Sequence, residues 1–128
     1  MQMNSRWVLL LRLTTIAAVL TVCYYAFTPQ AFKMHFSHMD KFYHLVTFAV
    51  LFFLLDYSFP NQPINWQKVL PLAMFALGIE LVQSWLPYRD FSLSDFGADL
   101  AGMLIYFACI PILKRLPLFR LRWEKQVS

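Results

Sequence analysis

Four long apolar segments, separated by short polar stretches, constrain this sequence more than any other feature. They cover residues 7–27, 41–59, 67–86 and 95–113. A helix of about 20 apolar residues crosses the roughly 30 Å of hydrocarbon in a bilayer. Because lipid offers backbone groups no hydrogen-bond partners, each spanning segment must satisfy its own. The pattern predicts an all-α membrane protein with four transmembrane helices in a single domain, residues 1–128.

The composition argues against a soluble or nucleic-acid-binding protein. Of the 128 residues, 59% are hydrophobic and 14% charged, which is more apolar surface than one soluble core of this size could bury. The net charge is +4, but the basic residues flank the apolar segments instead of forming a stripe on a polar surface. The lipid bilayer is therefore the expected partner, and nucleic acid is not. Cys23 and Cys109 lie within apolar segments and predict no disulfide or ligand role.

The connections and the basic residues predict the topology. Residues 28–40, 60–66 and 87–94 are short links, so consecutive helices should run antiparallel, up and down. One side collects most of the positive charge, which is retained in the cytoplasm: Arg6, Arg12, Lys68, Lys114, Arg115, Arg120, Arg122 and Lys125, against Lys33, Lys41 and Arg89. Both termini should be cytoplasmic.

The sequence also predicts what the two ends of the chain do. Segment 7–27 lacks a small-residue cleavage site, which favours a retained anchor over a cleaved signal peptide. Residues 114–128 should form a basic cytoplasmic tail. Its mixture of basic and apolar residues is typical of a segment lying on anionic headgroups or of a simple positive flank. The expected location is the bacterial inner (cytoplasmic) membrane.

Ionisable residues gather at one membrane face, although each costs roughly 2.5–3.5 kcal/mol at the centre of a membrane helix. Asp40 and His44 share one helix face, as do Asp95 and Asp99, because four residues separate each pair. The predicted topology places this cluster in the outer half of the membrane. The cytoplasmic half should hold little comparable beyond Arg12 and Asp56. The candidate polar site comprises Asp40, Lys41, His44, Glu80, Gln83, Arg89, Ser92, Asp95 and Asp99.

Two interpretations of this cluster remain open. It is either a ligand site opening outward, or a structural lock in which Arg89 pairs with Asp95 or Asp99 while Glu80 and Gln83 bond to His44. Asp95 and Asp40 could be helix N-caps, but Asp99 and His44, one turn deeper, could not. We also expect Glu80 and Arg89 to act as one coupled unit.

At these residues the chain resembles the VanZ-like family of small bacterial membrane proteins. The match lies in residues 40–44 (DKFYH), 78–83 (GIELVQ) and 89–99 (RDFSLSDFGAD) running into Gly102, and it covers roughly residues 38–110. Where Asp99 stands, the family pattern usually has asparagine, so this cluster is more acidic. The resemblance implies an envelope role, since the founding member is linked to resistance to teicoplanin. This antibiotic acts on peptidoglycan precursors at the outer face of the cytoplasmic membrane. It implies no reaction.

Three functions follow from these observations. The first is a polar site that binds an envelope lipid or peptidoglycan-precursor headgroup and contributes to envelope or glycopeptide resistance. The second is an acid/base- or metal-dependent enzyme acting on such a headgroup, with a divalent cation (Mg²⁺, Mn²⁺ or Zn²⁺) as cofactor. The third is the structural lock without a ligand. Candidate metal ligands are His44, Glu80, Asp95 and Asp99. The sequence leaves catalytic residues unassigned and is compatible with an oligomer.

Overall fold

The computed structural model describes residues 3–29 and 37–124, and these fold into four long helices and one short 3-10 helix. The helices are α1 (Ser5–Phe27), α2 (Ser37–Ser58), α3 (Trp66–Trp85) and α4 (Leu93–Leu113), followed by η1 (Arg120–Arg122). No strand occurs in the described residues. The all-α prediction with four helices is confirmed. Lys33 and Lys125 lie outside the described residues.

Polar side chains cap three of the helices at their first turn. Asn4 accepts a hydrogen bond from the backbone N–H of Arg6, and Asn65 accepts one from that of Gln67. The Ser92 side chain accepts from the backbone N–H of Asp95 at 3.2 Å, so Ser92 is the N-cap of α4. Asp95 therefore lies in the first helical turn instead of capping it, where a carboxylate is still favoured by the helix dipole.

Helix α2 lies at the centre of the molecule and makes its most extensive contacts with α4 and α1. Gly102 of α4 permits the closest approach, because a Cβ there would collide with the carbonyl oxygen of Leu45. The core is formed by apolar side chains of α2, α3 and α4: Phe48, Leu51, Phe52, Leu72, Ala76, Ile79, Met103 and Tyr106.

Within residues 3–29 and 37–124, three helices are long and apolar enough to cross a membrane: α1, α3 and α4. Helix α2, which carries Asp40, Lys41 and Asp56, is not one of them. Large apolar side chains point away from the protein; Leu20 is 65% exposed and Trp85 80%. Helix α1 has no buried residue and packs against the rest through one side. Such an outward apolar surface suits lipid as the surrounding solvent.

Candidate functional site

The polar residues predicted from the sequence occupy the ends of three helices that meet at one end of α2. Asp40, Lys41 and His44 lie in the first two turns of α2. Glu80 and Gln83 occupy the last turns of α3, and Asp95 and Asp99 the first turns of α4. Arg89 and Ser92 lie in the connection between α3 and α4. We call Asp40, Lys41, His44, Glu80, Asp95 and Asp99 the acidic cluster.

His44 joins α2 to α4 within the acidic cluster. Its Nδ1 forms a hydrogen bond with Asp99 Oδ1 at 2.8 Å, and its Nε2 lies 3.7 Å from Asp95 Oδ2, too far for a direct hydrogen bond. Lys41 Nζ lies 3.6 Å from Asp95 Oδ1. Asp99, whose helical position could not be explained as a cap, is fully buried and touches the imidazole directly.

Glu80 approaches the same cluster from α3 and is also fully buried. The backbone N–H of Ser92 donates to its Oε2 at 3.1 Å. Three carboxylate oxygens of the cluster have no hydrogen-bond partner within the described part of the chain: Glu80 Oε1, Asp95 Oδ1 and Asp99 Oδ2. Buried polar atoms are rarely left without a partner, because each costs about 1–3 kcal/mol. Each of these oxygens has a lone pair that can accept a further donor or bind a cation.

Arg89 and Gln83 do not join the acidic cluster but hold the end of α1. The Arg89 guanidinium donates to the carbonyl oxygens of Tyr25 at 2.7 Å and Thr28 at 3.2 Å. Gln83 donates to the Ala26 carbonyl at 3.0 Å. These carbonyls end a helix and have no intrahelical partners, so a cation there is favourable.

The arrangement differs from the lock that the sequence suggested. Arg89 forms no ion pair with Asp95, Asp99 or Glu80 among the described residues. The energetic coupling of Glu80 to Arg89 stays a prediction. Charge and spacing could not identify carbonyl partners more than 60 residues away. Tyr88 was missed altogether; its hydroxyl donates to the Phe27 carbonyl and reinforces the same junction.

In the part of the chain that the structure describes, two overlapping sets of side chains are arranged closely enough to hold a metal ion. Asp40, His44 and Asp95 form one set, and His44, Glu80 and Asp99 the other. In each set the candidate ligand atoms lie within 4.8 Å of one another. The sequence-based ligand candidates therefore converge, with Asp40 added.

A cavity of about 490 Å³ adjoins the acidic cluster and is bounded by α1, α2, α3 and Arg89. Its polar lining includes Asp40, His44, Gln83 and Arg89. The remaining wall is largely apolar and aromatic: Val22, Tyr25, Ala26, Tyr43, Phe48 and Ile79, with Thr21 and Thr47. The cavity thus combines a charged end with an apolar wall.

A second charged cluster, which the sequence did not predict, lies toward the other end of α2. Asp56 Oδ1 accepts from Lys68 Nζ and from an Arg122 guanidinium nitrogen, each at 2.7 Å, and Asp56 Oδ2 accepts from the Tyr106 hydroxyl at 2.6 Å. All four side chains are buried. The expectation that this half would hold little beyond Arg12 and Asp56 is wrong.

This second cluster, which we call the Asp56 cluster, includes Arg122, a residue of the predicted basic tail. Its guanidinium also donates to the carbonyls of Pro60 and Gln62, each at 2.7 Å. Only 1% of Arg122 is exposed, so it neither lies on headgroups nor forms a solvated flank. The sequence held one signal of this cluster. Asp56 is an acidic residue in an apolar segment and has no oppositely charged residue one turn away, which indicates a partner elsewhere in the chain.

Comparisons with known proteins agree with this architecture. No curated protein and no solved structure matches the chain. A family model described as VanZ/LLP1 matches residues 2–114, which adds α1 to the region of resemblance. Since that match covers most of the 128 residues, the chain belongs to the VanZ/LLP1 family.

Proposed function

We propose that this protein binds the headgroup of an envelope lipid or peptidoglycan precursor at the outer face of the bacterial inner membrane. The observation that carries the proposal is the 490 Å³ cavity, which joins the acidic cluster to an apolar wall. An amphiphile has the same division: its polar head would contact Asp40 and His44, and the start of its chain would lie along Val22 and Phe48. Binding sites of this kind are mostly apolar with a few placed polar groups.

The proposed orientation rests on the distribution of basic residues. We infer four membrane-crossing helices, α2 included, that run up and down with both termini in the cytoplasm. Lys68 and Arg122 are buried and both pair with Asp56. Positive charge still predominates at that end, where basic residues are exposed: Arg6, Lys114, Arg115 and Arg120. The acidic cluster then faces outward, where peptidoglycan precursors are used.

Ligand-dependent stability provides the direct test. The purified protein in detergent would be unfolded thermally in the presence of a short polyprenyl phosphate, the matching polyprenol, or phosphatidylethanolamine. A ligand at 100 times its Kd stabilises the folded state by about 2.7 kcal/mol. Stabilisation by one headgroup and not by the polyprenol would support the proposal; equal stabilisation by all three amphiphiles would refute it.

A matched pair of variants on α1 locates the binding site. Val22 lines the cavity, whereas Leu20 is 65% exposed on the outer surface. Val22→Phe should block the cavity and abolish the ligand-dependent stabilisation, whereas Leu20→Phe should retain it. Unchanged binding by Val22→Phe would place the ligand elsewhere.

The cellular role calls for a separate measurement. If headgroup binding protects envelope precursors, cells producing Val22→Phe should become more sensitive to a glycopeptide antibiotic than cells producing Leu20→Phe. Equal sensitivity, with equal protein levels, would argue against a resistance role while leaving the binding measurement intact.

A further inference from the structure

Glu80 and Asp99 are two fully buried carboxylates from different helices, and neither is neutralised by a lysine or arginine. Within residues 3–29 and 37–124, no such cation lies within 4 Å of either one. Lys41 lies beside Asp95, and Arg89 is directed to the carbonyls of α1. Burying an ion without a partner costs several kcal/mol. The His44 imidazole, 2.8 Å from Asp99, supplies at most one positive charge, so two ionised carboxylates here require a further cation.

The unpartnered atoms identify where that charge belongs. Glu80 Oε1 and Asp99 Oδ2 are inaccessible to solvent and have no hydrogen-bond partner among the described residues. His44, Glu80 and Asp99 each offer a ligand atom, and these atoms lie within 4.8 Å of one another. Three helices therefore bring three ligands together, with the polar end of the cavity beside His44.

We propose that His44, Glu80 and Asp99 bind a divalent cation of the Mn²⁺ or Zn²⁺ type. One imidazole nitrogen with two carboxylates suits these ions, whereas Ca²⁺ prefers six to eight oxygen ligands and Mg²⁺ rarely takes histidine. His44 Nδ1 and Asp99 Oδ1, 2.8 Å apart, are joined by the proton of a hydrogen bond. The cation replaces that proton and gives Glu80 Oε1 and Asp99 Oδ2 the partner they lack.

The cation would also explain how so acidic a cluster accepts an anionic headgroup. Three protein ligands leave coordination positions for water or for a phosphate oxygen, as in metal sites that hold a substrate. This last step rests on the proposed function. The cation site itself does not, because its three ligands all belong to the chain.

The cation site is tested without any lipid. The full chain, purified in detergent and stripped of metal with a chelator, would be titrated with Mn²⁺ and followed by electron paramagnetic resonance. We expect one tightly bound Mn²⁺ per chain that shows magnetic coupling to a histidine nitrogen, is displaced by Zn²⁺, and is not displaced by equimolar Ca²⁺. Absence of bound Mn²⁺, or binding without nitrogen coupling, would overturn the proposal.

Near-isosteric variants then assign the ligands. Glu80→Gln and Asp99→Asn should each weaken Mn²⁺ binding at least tenfold. The matched control is Asp90→Asn, which removes an exposed carboxylate from the neighbouring loop and should leave the affinity unchanged. Equal weakening by all three variants would overturn the assignment. Should a ligand variant fail to fold, the nitrogen coupling in the unmodified protein still decides the question.

Adding polyprenyl phosphate with and without Mn²⁺ separates the two proposals. Mn²⁺ binding without any lipid binding would refute the headgroup function and keep the cation site. Lipid binding to a chain that takes up no Mn²⁺ would refute the cation site and keep the headgroup function. A polyprenyl phosphate affinity that rises at least tenfold with Mn²⁺, and does not rise in Asp99→Asn, would support both.

Discussion

Replacing Asp56 with asparagine should be among the most destabilising single changes in this protein. Asp56 is the only carboxylate among the described residues that contacts Lys68 and Arg122, each at 2.7 Å, and all three side chains are at least 97% buried. Asparagine keeps the size and one acceptor oxygen but removes the negative charge. Two buried cations would then be left without a counter-ion.

The magnitude follows from that imbalance. Removing one member of a buried ion pair costs about 3–5 kcal/mol, and here a single carboxylate serves two cations. We therefore expect Asp56→Asn to cost about 5 kcal/mol, against a typical total stability of about 5–15 kcal/mol. Adding Lys68→Met removes one of the two unpaired cations, so the double variant should be at least about 2 kcal/mol more stable than Asp56→Asn alone.

Unfolding by SDS in mixed micelles, followed by the fluorescence of the 4 tryptophans, would measure these differences. The control is Arg120→Gln, which disrupts an exposed pair: Arg120 Nε lies 3.0 Å from Glu124 Oε1, with the arginine 57% exposed. Such a pair contributes about 0.3–0.5 kcal/mol. If Asp56→Asn cost no more than Arg120→Gln, the cluster would be open to water and the reasoning refuted.

Three further predictions concern packing, topology and the tail. Gly102→Ala should destabilise the protein by about 1–3 kcal/mol in the same unfolding assay, because the new Cβ collides with the Leu45 carbonyl. The control Gly97→Ala, which has open space around it, should be neutral or stabilising. Reporter fusions within residues 87–94 should be active only outside the cytoplasm; a cytoplasmic signal would reverse the proposed orientation. Truncation after Arg115 removes Arg122 and should lower the melting temperature markedly, which a tail resting on lipid headgroups would not do.

Helix positions could be predicted because each helix coincides with an apolar segment that the bilayer requires. The largest difference is the start of α2, at Ser37 instead of residue 41. The acidic cluster was also predictable in outline, since His44, Glu80, Asp95 and Asp99 lie at corresponding depths on three helices. Their convergence follows from short connections between consecutive segments.

Individual partners could not be predicted, because they depend on helix rotation and on which helices are neighbours. Arg89 was expected to pair with a carboxylate but donates to the carbonyls of α1, a helix whose packing the sequence does not specify. Lys68 and Arg122 were counted as topology signals, although each forms a buried ion pair with Asp56. Basic residues near a membrane face serve both purposes, and only the fold distinguishes them.

The junction between α1 and Arg89 has a consequence for biosynthesis. Arg89 lies 64 residues after Tyr25, so at about 5–20 residues per second it emerges roughly 3–13 s later than the carbonyl it binds. During that interval α1 must persist in the bilayer without its final partners. Its mean hydropathy of 1.9, the highest of the three candidate spans, and its lack of buried residues suit it to insertion as an independent helix. The wall of the cavity that α1 provides is therefore fastened only after the segment between α3 and α4 has been made.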